Sequence, residues 1–219
     1  MQELLENLKE GIVFTPNVDH LMKLQKDAQF YKSYKEATWL LCDSKYINLA
    51  AMFMGSPFKE VITGSALLPA FYTYHKNNPN IKIFLLGAAE GVAKKAVENI
   101  NQKLGCNIIV DAHTPSFDFE NNELEIEEII TKINQSGANV LVVCVGAPKQ
   151  ENWIVRYREK CTNIDIFMAL GATIDFEAGT VTRAPVVFQK LALEWLYRVI
   201  NEPKRLWKRY LIDDSPFFG

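Results

Sequence analysis

Residues 81–105 read IKIFLLGAAEGVAKKAVENINQKLG. A short apolar run ends in a glycine-bracketed turn, and a segment with helical spacing follows (Val92, Ala96, Ile100). The run does not alternate apolar with polar residues, so it predicts a strand covered on both faces rather than one edge of an exposed sheet. The same grammar recurs in both directions from this stretch. Runs rich in β-branched or aromatic residues stand at 11–15 (GIVFT), 37–43 (ATWLLCD), 59–64 (KEVITG), 107–113 (NIIVDAH), 139–146 (NVLVVCVG) and 164–171 (IDIFMALG). Helical spacing fills Val18 to Tyr34, Ser65 to Lys76, Val92 to Leu104, Leu124 to Asn134 and Gln150 to Lys160. Strand and helix alternating in this way predict an α/β fold, Rossmann-like, with a mostly parallel sheet flanked by helices. The expected catalytic domain spans 1–185.

After residue 185 the composition changes. Residues 189–212, QKLALEWLYRVINEPKRLWKRYLI, hold six cations against two anions, with Trp195, Tyr197, Trp207 and Tyr210 interleaved. Asn201-Glu202-Pro203 has the form of a helix restart, so 186–219 are expected to form a C-terminal helical appendage of two helices or one kinked helix. Arg198, Glu202, Arg205 and Arg209 fall on one helical face.

The whole chain has 219 residues, 48% of them hydrophobic and 23% charged, with a formal net charge of -2. That composition supports a filled core and excludes global disorder. A near-neutral balance argues against nucleic acid as a partner. No segment reaches the roughly 18 apolar residues of a membrane span. The opening MQELLENLKEG lacks the apolar core of a signal peptide, and a cytoplasmic address is expected. Cys42, Cys106, Cys144 and Cys161 form no CxxC pair, and His20, His75 and His113 have no zinc-site spacing, so no metal and no cofactor are expected.

In a parallel α/β sheet, ligands bind beyond the carboxyl ends of the strands. The polar residues and glycines that follow each run are therefore the candidates: Thr15 and Asn17, Asp43, Gly64, Gly87, Gly146 with Gln150 and Glu151, and Asp175. Gly87 and Gly146 permit close backbone approach. The turn after Gly87 is only a loose relative of the dinucleotide fingerprint and follows the fourth run rather than the first. Neither a GxxxxGK[ST] loop nor a GxSxG elbow occurs. Asp43 admits two readings: a partly desolvated general base, or a cap for the helix expected from Lys45. Asn17 and Asp175 can equally serve as cap or turn residues, and Gln150-Glu151 as surface residues at a helix start.

Three segments taken together, GAPKQENW (146–153), GATIDFEAG followed by TRAP (171–179 and 182–185) and LEWLYRVINEPKR (193–205), resemble the WecG/TagA/CpsF glycosyltransferases. TPNVDH at 15–20 and the strand-ending Asp43 fit the same pattern, so the resemblance runs in order along nearly the whole chain. It implies transfer of a sugar, of N-acetylmannosamine type or a related hexose, from a UDP-sugar to a lipid-diphosphate-linked acceptor. The anomeric centre is inverted, and the products serve bacterial cell-surface polysaccharides such as teichoic acid. By the same resemblance Asp43 is the general base, Thr15 and Asn17 line the catalytic pocket, and Gln150 lies in the donor site. Asp175 contacts uridine, and Phe117 packs near the base. Arg198, Arg205 and Lys208 or Arg209 serve the active site and the membrane. Apart from the resemblance, Arg183, just before Ala184-Pro185, is a further candidate to meet the leaving diphosphate, with anchoring of the last helix as its alternative. The family commonly has Asp-Gly at Asp43-Ser44, Gly-Ser-Asp at Gly64-Ser65-Ala66 and Tyr at Phe117. These departures leave the reaction class intact and the donor sugar open.

No DxD triplet occurs, so the leaving diphosphate is expected to be stabilised by helix N-termini and arginines rather than by a metal. The basic, aromatic tail is expected to dock peripherally on the inner face of the membrane. Self-association into a homo-oligomer through apolar surface near the tail is a further expectation. The alternative to catalysis is a nucleotide-sugar-binding scaffold of a polysaccharide assembly complex.

Overall fold

The computed structural model describes residues 1–182 together with Ala184, Pro185, Phe188, Tyr197 and Ile200. Among these residues six strands form one sheet: β1 (Gly11–Phe14), β2 (Trp39–Leu40), β3 (Ile83–Gly87), β4 (Ile109–His113), β5 (Val140–Cys144) and β6 (Ile166–Ala169). Their order is β2-β1-β6-β5-β3-β4, and every pairing is parallel. The helices among the described residues are α1 (Gln2–Asn7), α2 (Val18–Leu24), α3 (Ala28–Lys35), α4 (Lys45–Phe53), α5 (Gly64–His75), α6 (Val92–Leu104), α7 (Glu123–Gln135), α8 (Lys149–Tyr157) and α9 (Thr173–Ala178). The α/β architecture read from the alternating runs is the observed one. None of these helices is long and apolar enough to cross a membrane.

The unbroken apolar runs have a simple cause. Successive strand residues point to opposite faces, and both faces are buried. Val13, Ile83, Leu85, Val140, Val142, Ile166 and Met168 pack with α1, α5, α6 and α9. Their neighbours Ile12, Phe14, Phe84, Leu86, Leu141, Val143, Phe167 and Ala169 pack with α3, α7 and α8. By contrast α4 buries none of its residues, and Phe53 and Met54 are among the most exposed apolar side chains described.

Three expectations need correction. Residues 59–64 form no strand. The Ile62 N–H donates to the Cys42 carbonyl (2.9 Å), but the Thr63 hydroxyl then accepts from the Ala66 N–H (3.2 Å) and starts α5, so the local cap displaces a ladder. The run at 37–43 pairs through Trp39 and Leu40 alone. The helical stretch Val18 to Tyr34 is two helices, because Asp27 accepts from the Phe30 N–H (2.9 Å) and begins a second one.

Candidate functional site

The loops after β1, β2, β6 and β5 meet at the carboxyl edge of the sheet. Thr15, buried directly after β1, donates its hydroxyl to the Ala169 carbonyl at the end of β6 (3.2 Å). The Asp43 N–H donates to the Pro16 carbonyl (2.9 Å), which brings the strand-ending carboxylate back over the first loop. Its Oδ2 accepts from the Gly64 N–H (3.3 Å), the first residue of α5. Gly64 in turn abuts β6: a Cβ there would lie 3.0 Å from the Leu170 carbonyl oxygen and 3.2 Å from its Cα. Asp43 thus links the loop after β1, through Pro16, to the start of α5, which packs against Leu170 just after β6.

The cap of the helix from Lys45 is not the residue expected. Ser44, not Asp43, caps α4, accepting from the Ile47 N–H (3.3 Å). The half-buried Asp43 carboxylate instead faces the N-terminus of the 12-residue α5, where the first-turn amides favour negative charge. Asn17 does cap a helix: its side chain accepts from the His20 N–H (3.2 Å) and opens α2.

Gln150 and Glu151 are not surface residues. They are 1% and 0% exposed. Gln150 lies one helical turn before Trp153 and Ile154 and two before Tyr157, so the apolar stripe of α8 carries it inward. Its Oε1 accepts from the Gly146 N–H (3.3 Å) and from the Gly171 N–H (3.2 Å), stitching the loop after β5 to the loop after β6. Its Nε2 donates to Glu151 Oε1 (2.8 Å). Burial pushes the Glu151 carboxyl up to about 7, against the pull of the Gln150 hydrogen bond and, less, of Lys23; Asp19 adds to the rise.

Around this pair lies a buried polar group that sequence reasoning missed. The Lys23 ammonium donates to Asp19 Oδ2 (2.8 Å) and to the Ala147 carbonyl (3.1 Å), tying α2 to the loop before α8. His20 Nδ1 and the Tyr34 hydroxyl are 2.5 Å apart. Tyr34 is pushed far up, first by burial and then by the negative charges of Glu151, Asp19 and Asp43. The available signal was spacing: Asp19 and Lys23 are four apart on one helix, the arrangement of an ion pair.

Gly87 closes β3 with φ 133°, and a Cβ there would lie 2.4 Å from the Cys144 carbonyl oxygen. Gly146 has φ 86° with open space where its Cβ would be. Asp175 sits half-buried in the first turn of α9, the helix that follows Gly171. Phe117 is 95% exposed, on the segment after β4. Lys149, the first residue of α8, lies 4.9 Å from its ring centroid, donates to its carbonyl (3.0 Å) and pairs with Glu120. One face of the ring is thereby covered by a cation. Cys144 and Cys161 are buried thiols pushed up to about 12, chiefly by burial, as small core residues are. Arg183, Arg198, Arg205 and Arg209, and nearly all of the appendage expected at 186–219, lie outside the described residues. No group of three or more His, Cys, Asp and Glu that could hold a metal is found among the described residues.

A family model described as the glycosyl transferase WecG/TagA/CpsF family matches residues 1–219. Proteins named N-acetylglucosaminyldiphosphoundecaprenol N-acetyl-beta-D-mannosaminyltransferase, from Staphylococcus aureus strains MW2, NCTC 8325 / PS 47 and COL, are each 26% identical to this chain over 216 residues. The match covers 94% of this chain and 82% of each relative.

Proposed function

The chain belongs to the WecG/TagA/CpsF glycosyltransferase family, and on that premise we propose that it moves an N-acetylmannosamine-type hexose from a UDP-sugar to a polyprenyl-diphosphate-linked sugar, with inversion. The acceptor class is suggested by the relatives, whose name specifies a GlcNAc-diphosphoundecaprenol substrate. The observation that carries the reading is the Asp43 carboxylate, which accepts from the Gly64 N–H at the start of α5 while its own N–H donates to Pro16 of the loop that carries Thr15.

In this mechanism Asp43 takes the proton of the acceptor hydroxyl as its oxygen bonds to the anomeric carbon. The bond to the nucleoside diphosphate breaks on the opposite side. One base and one in-line displacement invert the centre; retention would need a second, nucleophilic carboxylate. The Gly146 and Gly171 loops shape the donor side, Asp175 meets uridine, and Phe117 offers its free ring face to the base. Charge developing on the leaving diphosphate is met by arginines of 183–209, guanidinium groups being suited to bidentate pairing with phosphate. The same tail holds the enzyme peripherally on the membrane that carries the acceptor.

Replacing Asp43 with Asn tests the base. Asn keeps an oxygen able to accept from the Gly64 N–H, so the loop is retained. Turnover is expected to fall by about 10²–10⁴-fold while UDP still binds in calorimetry. Turnover at the wild-type rate would remove Asp43 from this role.

A further inference from the structure

We propose that Glu151 is a positioning residue of the transfer site: its carboxyl holds the Gln150 carboxamide, and Gln150 in turn holds the loops after β5 and β6 that form the donor side. The inference rests on the reading of that side given above.

The geometry is a short relay. Glu151 Oε1 is the acceptor for Gln150 Nε2, at 2.8 Å. With its nitrogen engaged there, the carboxamide presents Oε1 to two backbone donors, Gly146 and Gly171. Both glycines have positive φ, 86° and 58°, so neither loop is held by regular secondary structure at that point. One side-chain oxygen bonds both glycines. Remove the acceptor on Glu151, and a buried amide nitrogen is left without its partner; the carboxamide must then turn or withdraw to satisfy it.

The surroundings argue that this carboxyl is not there for the fold. Its position lies on the inner face of α8 beside Ile154, where an apolar side chain would pack. Its second oxygen, Oε2, is buried with no hydrogen-bond partner among the described residues. The groups that face it are Asp19 and Lys23 from α2 and Tyr34 from α3. The strands beneath contribute Leu141, Val143, Phe167 and Ala169 to the same core and no charge. The Lys23 ammonium is already shared between Asp19 and the Ala147 carbonyl. A carboxyl kept in such a place, with a side-chain hydrogen bond to a residue that stitches two site loops, is better explained by the site than by stability.

Two variants of the full chain separate the roles. Glu151→Gln keeps an acceptor oxygen for Gln150; Glu151→Leu removes it and suits the apolar stripe. Amide hydrogen exchange at Gly146 and Gly171 is read by NMR without ligand, and UDP affinity by calorimetry. In the Gln variant both amides are expected to stay protected and UDP to bind as in wild type. In the Leu variant both amides are expected to exchange roughly tenfold faster and UDP to bind roughly tenfold more weakly, with a melting temperature no lower than wild type. Unchanged exchange in the Leu variant overturns the proposal, as does a loss of UDP binding equal in both variants. If wild type itself fails to bind UDP, the donor reading falls, and the amide exchange still decides whether Glu151 positions Gln150.

Discussion

Glu151 also makes a prediction about stability that involves no ligand. An unperturbed glutamate titrates near 4.5, and burial raises this one to about 7. A carboxyl with a raised folded-state value favours folding fully below the unfolded value, and this contribution is lost as pH rises through the folded one. A difference of about 2.5 units at 1.36 kcal/mol each comes to about 3 kcal/mol. Most of it, about 2.5 kcal/mol, is lost between pH 5 and pH 8. Other groups titrate in the same window, among them His75 and His113, both lowered first by burial. Their contributions are common to wild type and variant and cancel in a comparison. The assay is therefore urea unfolding of wild type and Glu151→Gln at several values from pH 5 to pH 8. Any packing cost of the added amide protons is the same at every pH, so only the change in the gap matters. The variant is expected to gain on wild type by about 2 kcal/mol across the window. Parallel stability curves would mean that Glu151 ionises as it does in water, which would refute the argument from burial.

Two further predictions concern the frame of the site and its approach to the membrane. Gly87→Ala places a Cβ 2.4 Å from the Cys144 carbonyl oxygen at a φ of 133°; a loss of about 3 kcal/mol or more in urea unfolding is expected, whereas Gly146→Ala, strained but unclashed, should cost about 1 kcal/mol, and equal losses would contradict the packing argument. A chain ending after Pro185 keeps every described buried member of both hydrophobic clusters, Leu4 to Ala178, so it should melt cooperatively while losing the flotation with anionic vesicles expected of the full chain. Equal flotation of the two would place membrane docking elsewhere.

What could be read from the sequence, and what could not, divides along the range of the interactions. The strand runs at 81–87 and 139–146 were legible because a sheet buried on both faces needs apolar residues at every position, a demand written locally. The 59–64 run carried the same local signal and failed, because a Thr63 cap three residues before Ala66 satisfied the chain in another way. The placement of Thr15, Asp43 and Gln150 after strands followed from a topological rule, but the meeting of the loops around them did not. That meeting depends on β6 and β5 lying between β1 and β3, which sets Leu170 against Gly64 and Gly171 against Gln150 across 106 and 21 positions of chain. The burial of Glu151 was hidden for a different reason. A charged residue at a helix start is ordinarily solvated, and only the spacing to Trp153, Ile154 and Tyr157 contradicts that. Where residue type and spacing disagree, spacing reports the packing and type reports the chemistry. A carboxyl on an apolar stripe is therefore the combination that should direct attention to a site, since the fold alone gives no reason to keep it there.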